Sequence, residues 1–176
     1  MHNVQNALAA VVLSYFGGVS IQVIQDTLLS FKGVEHRLEF VSEIDGITFI
    51  NDSKGTNTDA STIAIKAFDT PIVLIAGGYD KKVSFDEWMD SFEGKVKYLV
   101  VLGATADQIL ETAERKNYEN IEKVNTFEEA VLKAYENAEN GDTVLLSPAC
   151  ASWGMFVDFE ERGRVFKDIV KHLGGK

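Results

Sequence analysis

Apolar runs that alternate with helical segments constrain the fold of this chain more than any other feature. Three short runs, Ile72–Ala76, Tyr98–Leu102 and Thr143–Leu146, have the apolar character of strands that are buried on both faces of a parallel sheet. Longer segments with helical periodicity lie between them, and Ile121–Val124 is a weaker strand candidate. This alternation predicts an α/β fold with a Rossmann-like, doubly wound and mostly parallel sheet.

An antiparallel β-hairpin is predicted to open the sheet. The β-prone residues 40–41 and 47–50 flank Asp45 and Gly46, a pair typical of a type I′ hairpin turn. Helices are expected at about residues 59–68, 85–91, 104–116, 126–139 and 156–172.

The first 35 residues have a purely helical pattern. Ala7, Val11 and Tyr15 recur at helical spacing, and Ser20 is a good N-cap for a second helix. A helical hairpin of this size buries too little surface to be stable alone. We therefore divide the chain into a helical hairpin, residues 1–35, and an α/β domain, residues 36–176.

Composition disfavours several classes of function. Lysine and arginine number 17 against 27 aspartates and glutamates, a net charge of −10 in 176 residues, which disfavours a nucleic-acid-binding surface. The single cysteine, Cys150, and the lack of a basic leader before Ala7–Phe16 favour a reducing, cytoplasmic location. No apolar run approaches the roughly 20 residues of a membrane span. An anionic ligand would therefore depend on individual lysines and arginines.

Three loops are expected to carry any binding site, because ligands of doubly wound sheets collect at the carboxyl ends of the strands. We name them loop A (Asn51–Thr58), loop B (Gly77–Lys82) and loop C (Ser147–Phe159). Loop A leads from a strand into a helix, so its N–H groups suit an anion, with Lys54 and Thr56 beside them. An N-capped turn explains the same residues equally well.

Single side chains in and near the other loops leave similar alternatives open. Lys81 and Lys82 suit a carboxylate or phosphate, but paired lysines are also common in surface turns. Cys150 is better explained as a buried structural residue than as a nucleophile, because no histidine offers an evident base. Arg162 is most simply a helix-face ion pair. Arg37 either reaches a phosphate or ties the junction of the two parts to nearby carboxylates.

Taken together, these segments resemble the C-terminal part of the Mur ligases, and among them the ligases that add D-glutamate. The resembling segments occur in the family's order and cover nearly the whole chain. The segment in loop A is the most specific, because Mur ligases that add other residues carry different sequences there. The segments are His2–Ala7, His36–Glu39, Asn51–Asn57, Gly77 and Gly78 with Lys81, Leu145–Ser152 and Phe159–Gly163.

This resemblance implies a reaction and its participants. Ligases of this kind join D-glutamate to UDP-N-acetylmuramoyl-L-alanine in the cytoplasmic stage of peptidoglycan synthesis. ATP, with Mg²⁺, phosphorylates the carboxylate of the precursor. The amine of D-glutamate then attacks the acyl phosphate, and ADP and phosphate are released. In such ligases the C-terminal domain brings the amino acid to ATP held by the central domain, so residues 1–35 are implied to be a remnant of that ATP-binding domain.

The resemblance also implies roles for individual residues. One carboxylate of D-glutamate would lie on Thr56 and Lys81, and the other on Ser152 and the backbone of Phe159. Lys54 would be the catalytic residue near the reacting groups. No residue is implied to bind a metal. The residues implied to contact ATP are Asn3, Asn6, Arg37 and Asp52.

Part of the family's machinery does not occur in this sequence. The Gly-x-x-Gly-Lys-Thr/Ser loop that cradles ATP phosphates is missing, as are the residues that hold Mg²⁺, a modified lysine and the uridine nucleotide. We therefore expect the chain alone to be inactive in ligation and to bind no cofactor tightly. The alternative is a stand-alone metabolite- or nucleotide-binding α/β module, which an upstream reading frame with the phosphate loop would exclude.

Overall fold

Seven helices and six strands make up the described part of the chain, which in this computed structural model is the backbone of residues 2–175 and the side chains of residues 4–175. The strands are β1 Glu39–Ile44, β2 Ile47–Asn51, β3 Ile72–Gly77, β4 Val96–Leu102, β5 Ile121–Lys123 and β6 Thr143–Leu146. The helices are α1 His2–Phe16, α2 Ile21–Ser30, α3 Thr58–Lys66, α4 Asp86–Asp90, α5 Ala106–Arg115, α6 Phe127–Glu136 and α7 Phe159–Leu173.

The six strands form one mixed sheet in the order β1-β2-β6-β3-β4-β5. Only the β1–β2 pair is antiparallel, and the other four pairs are parallel. At the β1–β2 turn both Asp45 (φ 53°) and Gly46 (φ 76°) have positive φ angles, as a type I′ turn requires. The predicted mostly parallel sheet with an opening antiparallel hairpin is therefore confirmed.

Helices cover both faces of the sheet, and each face has its own hydrophobic core. One core lies under α3, α4 and α5 and includes Leu74 and Trp88, and the other lies under α6 and α7 and includes Val73 and Phe166. Adjacent residues of β3 thus enter opposite cores, because successive side chains of a strand point to opposite faces. This double burial explains why the strand sequences are apolar throughout.

The start of α7 lies three residues later than predicted. Asp158 has extended backbone angles, and its side chain accepts the N–H of Glu161 at 2.7 Å, so it is the N-cap. The residues before it belong to loop C. Phe159 is consequently the first residue of the helix, where backbone N–H groups have no partner within the helix.

The chain divides into two units, residues 1–34 and residues 35–176. In the first unit α1 and α2 contact each other, and Ser20 caps α2 by accepting the N–H of Val23 at 3.4 Å. No side chain of α2 is buried. Leu13, Phe16 and Leu29 are 74%, 83% and 80% exposed. None of the described helices has the length and apolar character needed to cross a membrane.

Candidate functional site

The strand order places loops A, B and C side by side. They follow β2, β3 and β6, and β6 lies between the other two strands, parallel to both. Backbone hydrogen bonds hold the loops in place: in loop A, Asp52 donates to Leu146 at the end of β6 at 2.8 Å, and in loop B, Gly77 donates to Pro148 of loop C at 2.9 Å. Tyr79 donates to Ala151 at 2.9 Å. The three loops that the sequence analysis selected therefore form one surface at the carboxyl edge of the sheet.

Loop A is more than a capped turn. The N-cap of α3 is Asn57, whose side chain accepts the N–H of Ala60 at 2.8 Å, so the other polar residues of the loop are not needed for capping. Asp52 and Ser53 are buried and bond to segments far away in the chain. Lys54 is exposed and Thr56 is half-buried, and both remain at the surface of the site.

Lys81 and Thr56 are brought together, although 25 positions separate them. The Lys81 ammonium donates a hydrogen bond to the Thr56 carbonyl at 3.1 Å, which joins loop B to loop A. The neighbouring Lys82 instead has a positive φ of 57° and donates its backbone N–H to Asp80 at 2.6 Å. The structure thus singles out Lys81 as the lysine of loop B that lies beside loop A.

Lys54 and Phe159 are also brought together. The Lys54 ammonium lies 5.3 Å from the centre of the Phe159 ring, within range of a cation–π contact. Ser152, in loop C, is buried, and its carbonyl accepts the N–H of Phe156 at 3.0 Å. The Lys54 ammonium therefore lies over the ring of the first residue of α7, and the N-terminal end of a helix is where an anion is favoured.

Asp52 is a buried link between segments. It is 4% exposed, and its two carboxylate oxygens accept the Leu38 N–H at 3.2 Å and the Ser147 hydroxyl at 2.7 Å. Burial raises the pKa of Asp52 to about 6, although those hydrogen bonds and the charges of Arg37 and Arg162 act in the opposite direction. The carboxylate predicted to contact ATP is thus already engaged within the protein.

Arg37 projects from a backbone segment in an unusual conformation. Its neighbours His36 and Leu38 have φ angles of 63° and 47°, in the left-handed region that costs a residue with a Cβ about 1–2 kcal/mol. The Asp52 carboxylate holds Leu38, and the Lys54 N–H donates to the His36 carbonyl at 3.0 Å. Arg37 itself is exposed, so its guanidinium is available to an anion.

The residues predicted to contact ATP fall in both units of the chain. Arg37 and Asp52 belong to residues 35–176, whereas Asn6 is exposed on α1 in residues 1–34. The side chain of Asn3 lies outside the described residues. Of the two residues that lie in the second unit, Arg37 carries hydrogen-bond donors that suit a phosphate.

Arg162 is not a helix-face ion pair, and that prediction is wrong. The residue is 1% exposed. Its Nε donates to the Ser53 hydroxyl at 2.9 Å, its Nη2 to the Ser53 carbonyl at 2.8 Å and its Nη1 to the Cys150 carbonyl at 3.1 Å. Burial lowers its pKa to about 10, so it stays charged at neutral pH. A signal was available, since Arg162 lies four residues before Phe166 and eight before Val170, on the buried face of α7.

Cys150 is buried, as predicted. Its side chain also contacts Thr105, which the sequence did not indicate. Burial raises the pKa of its thiol, which lies 3.4 Å from the Thr105 hydroxyl. The Gly78 N–H donates to that hydroxyl at 3.1 Å, so Thr105 fixes the start of loop B. A cavity of about 40 Å³ lies here, and its lining includes Tyr79, Lys81, Thr105 and Cys150.

A cluster of possible metal ligands lies at the junction before β1. The ligand atoms of Glu35, His36 and Glu39 lie within 4.8 Å of one another. The Lys167 ammonium contacts Glu35 at 2.6 Å and Glu39 at 3.0 Å, so a cation of the protein itself already balances these carboxylates. The cluster ties the junction to α7.

Comparison with known sequences decides the family. Residues 36–150 match the family model described as the glutamate ligase domain of Mur ligase. The chain belongs to the Mur ligase family. It is 60% identical over 174 residues to the UDP-N-acetylmuramoylalanine–D-glutamate ligase of Thermoanaerobacter sp. (strain X514), covering 98% of this chain and 38% of that relative. The chain thus spans less than half the length of the curated Mur ligases that it matches.

Solved structures of other ligases have the same fold. The UDP-N-acetylmuramate–alanine ligase MurC of Thermotoga maritima matches the whole chain and 39% of its own length, with a TM-score of 0.70 and 17% identity. FolC of E. coli in complex with ADP matches 88% of the chain and 36% of its own length, with a TM-score of 0.62 and 23% identity. At these identities the likeness shows the fold alone.

Proposed function

We propose that this chain is the C-terminal, amino-acid-binding part of an ATP-dependent ligase that adds D-glutamate to UDP-N-acetylmuramoyl-L-alanine in peptidoglycan synthesis. The observation that carries the proposal is the contact between Lys81 and Thr56 beside loop C. In a strongly acidic protein, it brings the positive charge of Lys81 from loop B to loop A at the carboxyl edge of the sheet. The 60% identity to a ligase that is named for D-glutamate supports the choice of amino acid.

A dicarboxylate such as D-glutamate needs two separate sets of donors. We assign one carboxylate to the Lys81 ammonium and Thr56, which the structure joins across loops A and B. The other carboxylate would lie on Ser152 and the backbone N–H of Phe159, at the start of α7. An amino group between them would remain free to react.

Lys54 is the candidate for a catalytic role. Its ammonium is exposed and lies over the Phe159 ring, next to the proposed carboxylate site. A positive charge at this position would stabilise the negative charge that develops as the amine attacks an acyl phosphate. The acyl phosphate would form when ATP, with Mg²⁺, phosphorylates the nucleotide-linked precursor.

The nucleotide would be shared with the rest of the ligase. We propose that residues 1–35 belong to its ATP-binding domain, with Asn3 and Asn6 near the adenine. Arg37 would reach the nucleotide from the amino-acid-binding domain, and Asp52, which bonds to Leu38 next to Arg37, would hold it there. Because both ATP and the precursor are cytoplasmic, we place the ligase in the cytoplasm.

Alanine substitutions in the complete ligase test the D-glutamate site. A charge-assisted hydrogen bond contributes about 1.5–3 kcal/mol, so Lys81→Ala is expected to raise the KM for D-glutamate by about one to two decades, and Ser152→Ala to raise that KM or lower kcat. Lys82→Ala is the matched control, because Lys82 is the exposed neighbour in the same loop. Steady-state phosphate release measures all three variants.

Unchanged kinetics in both Lys81→Ala and Ser152→Ala would refute the proposed site. The chain alone, without the phosphate-binding loop, should show no D-glutamate-dependent hydrolysis of ATP. Calorimetry of the chain with D-glutamate, L-glutamate and ATP separates the ligase from a stand-alone binding module. Tight binding of ATP with no preference for D-glutamate would favour the module.

A further inference from the structure

Ser53 and Arg162 form a buried pair at the point where three segments of the site meet. Arg162 binds both the hydroxyl and the carbonyl of Ser53, and the Ser53 hydroxyl donates to the Phe159 carbonyl at 2.7 Å. The third donor of Arg162 binds the Cys150 carbonyl, two residues before Ser152. The pair therefore links loop A, loop C and the first residue of α7.

The hydrogen-bond partners of this guanidinium lie in two different loops of the site. Its three donors go to one hydroxyl and two backbone carbonyls, and Ser53 is fully buried. An apolar side chain at this position would leave the Ser53 hydroxyl and two backbone carbonyls without their donor, so Arg162 also contributes to stability. A planar fork with several donors does fix the distances between the backbone segments that it binds.

We propose that Ser53 and Arg162 are positioning residues that set the distance between the two carboxylate-binding groups of the site. One group is the Thr56 and Lys81 pair, and the other is Ser152 with the Phe159 N–H. This inference rests on the proposed binding of a dicarboxylic amino acid. It adds that the Ser53–Arg162 pair selects the length of that amino acid. A fixed distance between the two groups that suits D-glutamate does not suit D-aspartate, which is one methylene shorter.

Ser53→Ala in the 176-residue chain tests the positioning without any ligand. The variant removes one small hydroxyl, and the bond from Arg162 to the Ser53 carbonyl can persist. Thr143→Val is the matched control, because Thr143 is a buried hydroxyl that pairs with Thr70 at 2.8 Å at the other end of β6. Backbone amide spectra by NMR are expected to show shifts at Phe159 and at residues 150–152 in Ser53→Ala only. Shifts confined to loop A would overturn the proposal.

Selectivity in the complete ligase is the second readout. The ratio of kcat/KM for D-glutamate to kcat/KM for D-aspartate should fall by about tenfold in Ser53→Ala and stay unchanged in Thr143→Val. Arg162→Lys keeps the positive charge but loses the planar guanidinium with its several donors, so the same tenfold fall in the ratio is expected in that variant. A residue that only stabilises the fold would change both substrates equally, and an unchanged ratio in Ser53→Ala refutes the proposal.

The two readouts also separate this inference from the proposed function. A ligase that does not use D-glutamate at all contradicts the proposed function, and the amide shifts then decide whether Ser53 positions the two segments. A ligase that uses D-glutamate, with no shifts at Phe159 in Ser53→Ala, contradicts the inference alone.

Discussion

At the scale of single residues, Asp52 shows how a polar side chain organises the site from within. Its carboxylate holds the Leu38 N–H, next to Arg37, and the Ser147 hydroxyl at the start of loop C. Gly55 is required beside it, since a Cβ at that position would lie 2.6 Å from the Asp52 carboxylate. The cost of this arrangement is a buried acid whose pKa is raised to about 6 by desolvation.

This raised pKa predicts a pH dependence of stability. In the unfolded chain Asp52 would lose its proton near the ordinary aspartate pKa of 3.8, and in the folded chain near 6. Between these values the folded state binds more protons, so the contribution of Asp52 to the free energy of unfolding falls as pH rises. The full loss corresponds to about 3 kcal/mol. This contribution to the free energy of unfolding is lost as the pH rises through about 6.

Urea unfolding of the chain at pH 4 and pH 7 measures this effect. The free energy of unfolding of the wild-type chain, relative to that of Asp52→Asn, should be lower at pH 7 than at pH 4. Asp59→Asn, at an exposed position of α3, is the control and should follow the wild type at both values. A constant difference between wild type and Asp52→Asn would contradict the raised pKa.

At the scale of elements, the contact between loops B and C depends on one glycine. Gly78 has a φ of 150°, and a Cβ there would lie 2.4 Å from the Ala151 carbonyl oxygen. That oxygen accepts the Tyr79 N–H, the bond that joins the two loops. Gly94 also has a positive φ, 79°, but a Cβ there would meet nothing within 4 Å. A substitution at Gly94 would therefore cause backbone strain alone, whereas a substitution at Gly78 would cause strain and a steric clash.

Alanine at each glycine tests this distinction. Gly94→Ala should lower the free energy of unfolding by about 1 kcal/mol, the cost of a positive φ in a residue with a Cβ. Gly78→Ala should lower it by about 1–3 kcal/mol more, because a neighbouring backbone must move. Chemical denaturation measures both values. Equal losses would show that loops B and C separate without cost.

At the scale of the whole molecule, the two units of the chain differ in how much apolar surface they bury. Both hydrophobic cores consist of residues from 38 onward, so the second unit has a complete interior of its own. The first unit leaves large apolar side chains exposed, among them Leu13, Phe16 and Leu29. Exposed apolar surface of this kind favours association with other protein surfaces.

Removal of residues 1–34 tests the independence of the second unit. The shortened chain, residues 35–176, should unfold cooperatively, with a Tm within about 5 °C of the value for the full chain. Sedimentation should show self-association of the full chain and monomers of the shortened one. Loss of cooperative unfolding would show that residues 1–34 are needed for the fold.

The sequence alone was enough to predict the elements, because their signals are local. The double burial of strands such as β3 produces apolar runs, and the Asp45–Gly46 pair predicts its own turn through the positive φ angles that it tolerates. The three loops followed from these strands, since ligands of such sheets bind at the carboxyl ends. The roles of Lys54, Thr56, Lys81, Ser152 and Phe159 came from the family resemblance and remain proposals.

Only the tertiary structure decided how these loops meet and what holds them. The sequence did not indicate that β6 inserts between β2 and β3, which makes loops A, B and C one surface. It also did not reveal the burial of Asp52 or the hydrogen-bond partners of Arg162, although the periodicity of α7 was a signal for the burial of Arg162. Arg162 and Ser53 lie 109 positions apart, and Asp52 and Ser147 lie 95 apart. Local periodicity carries no information about contacts at such separations, because these depend on the packing of the whole domain.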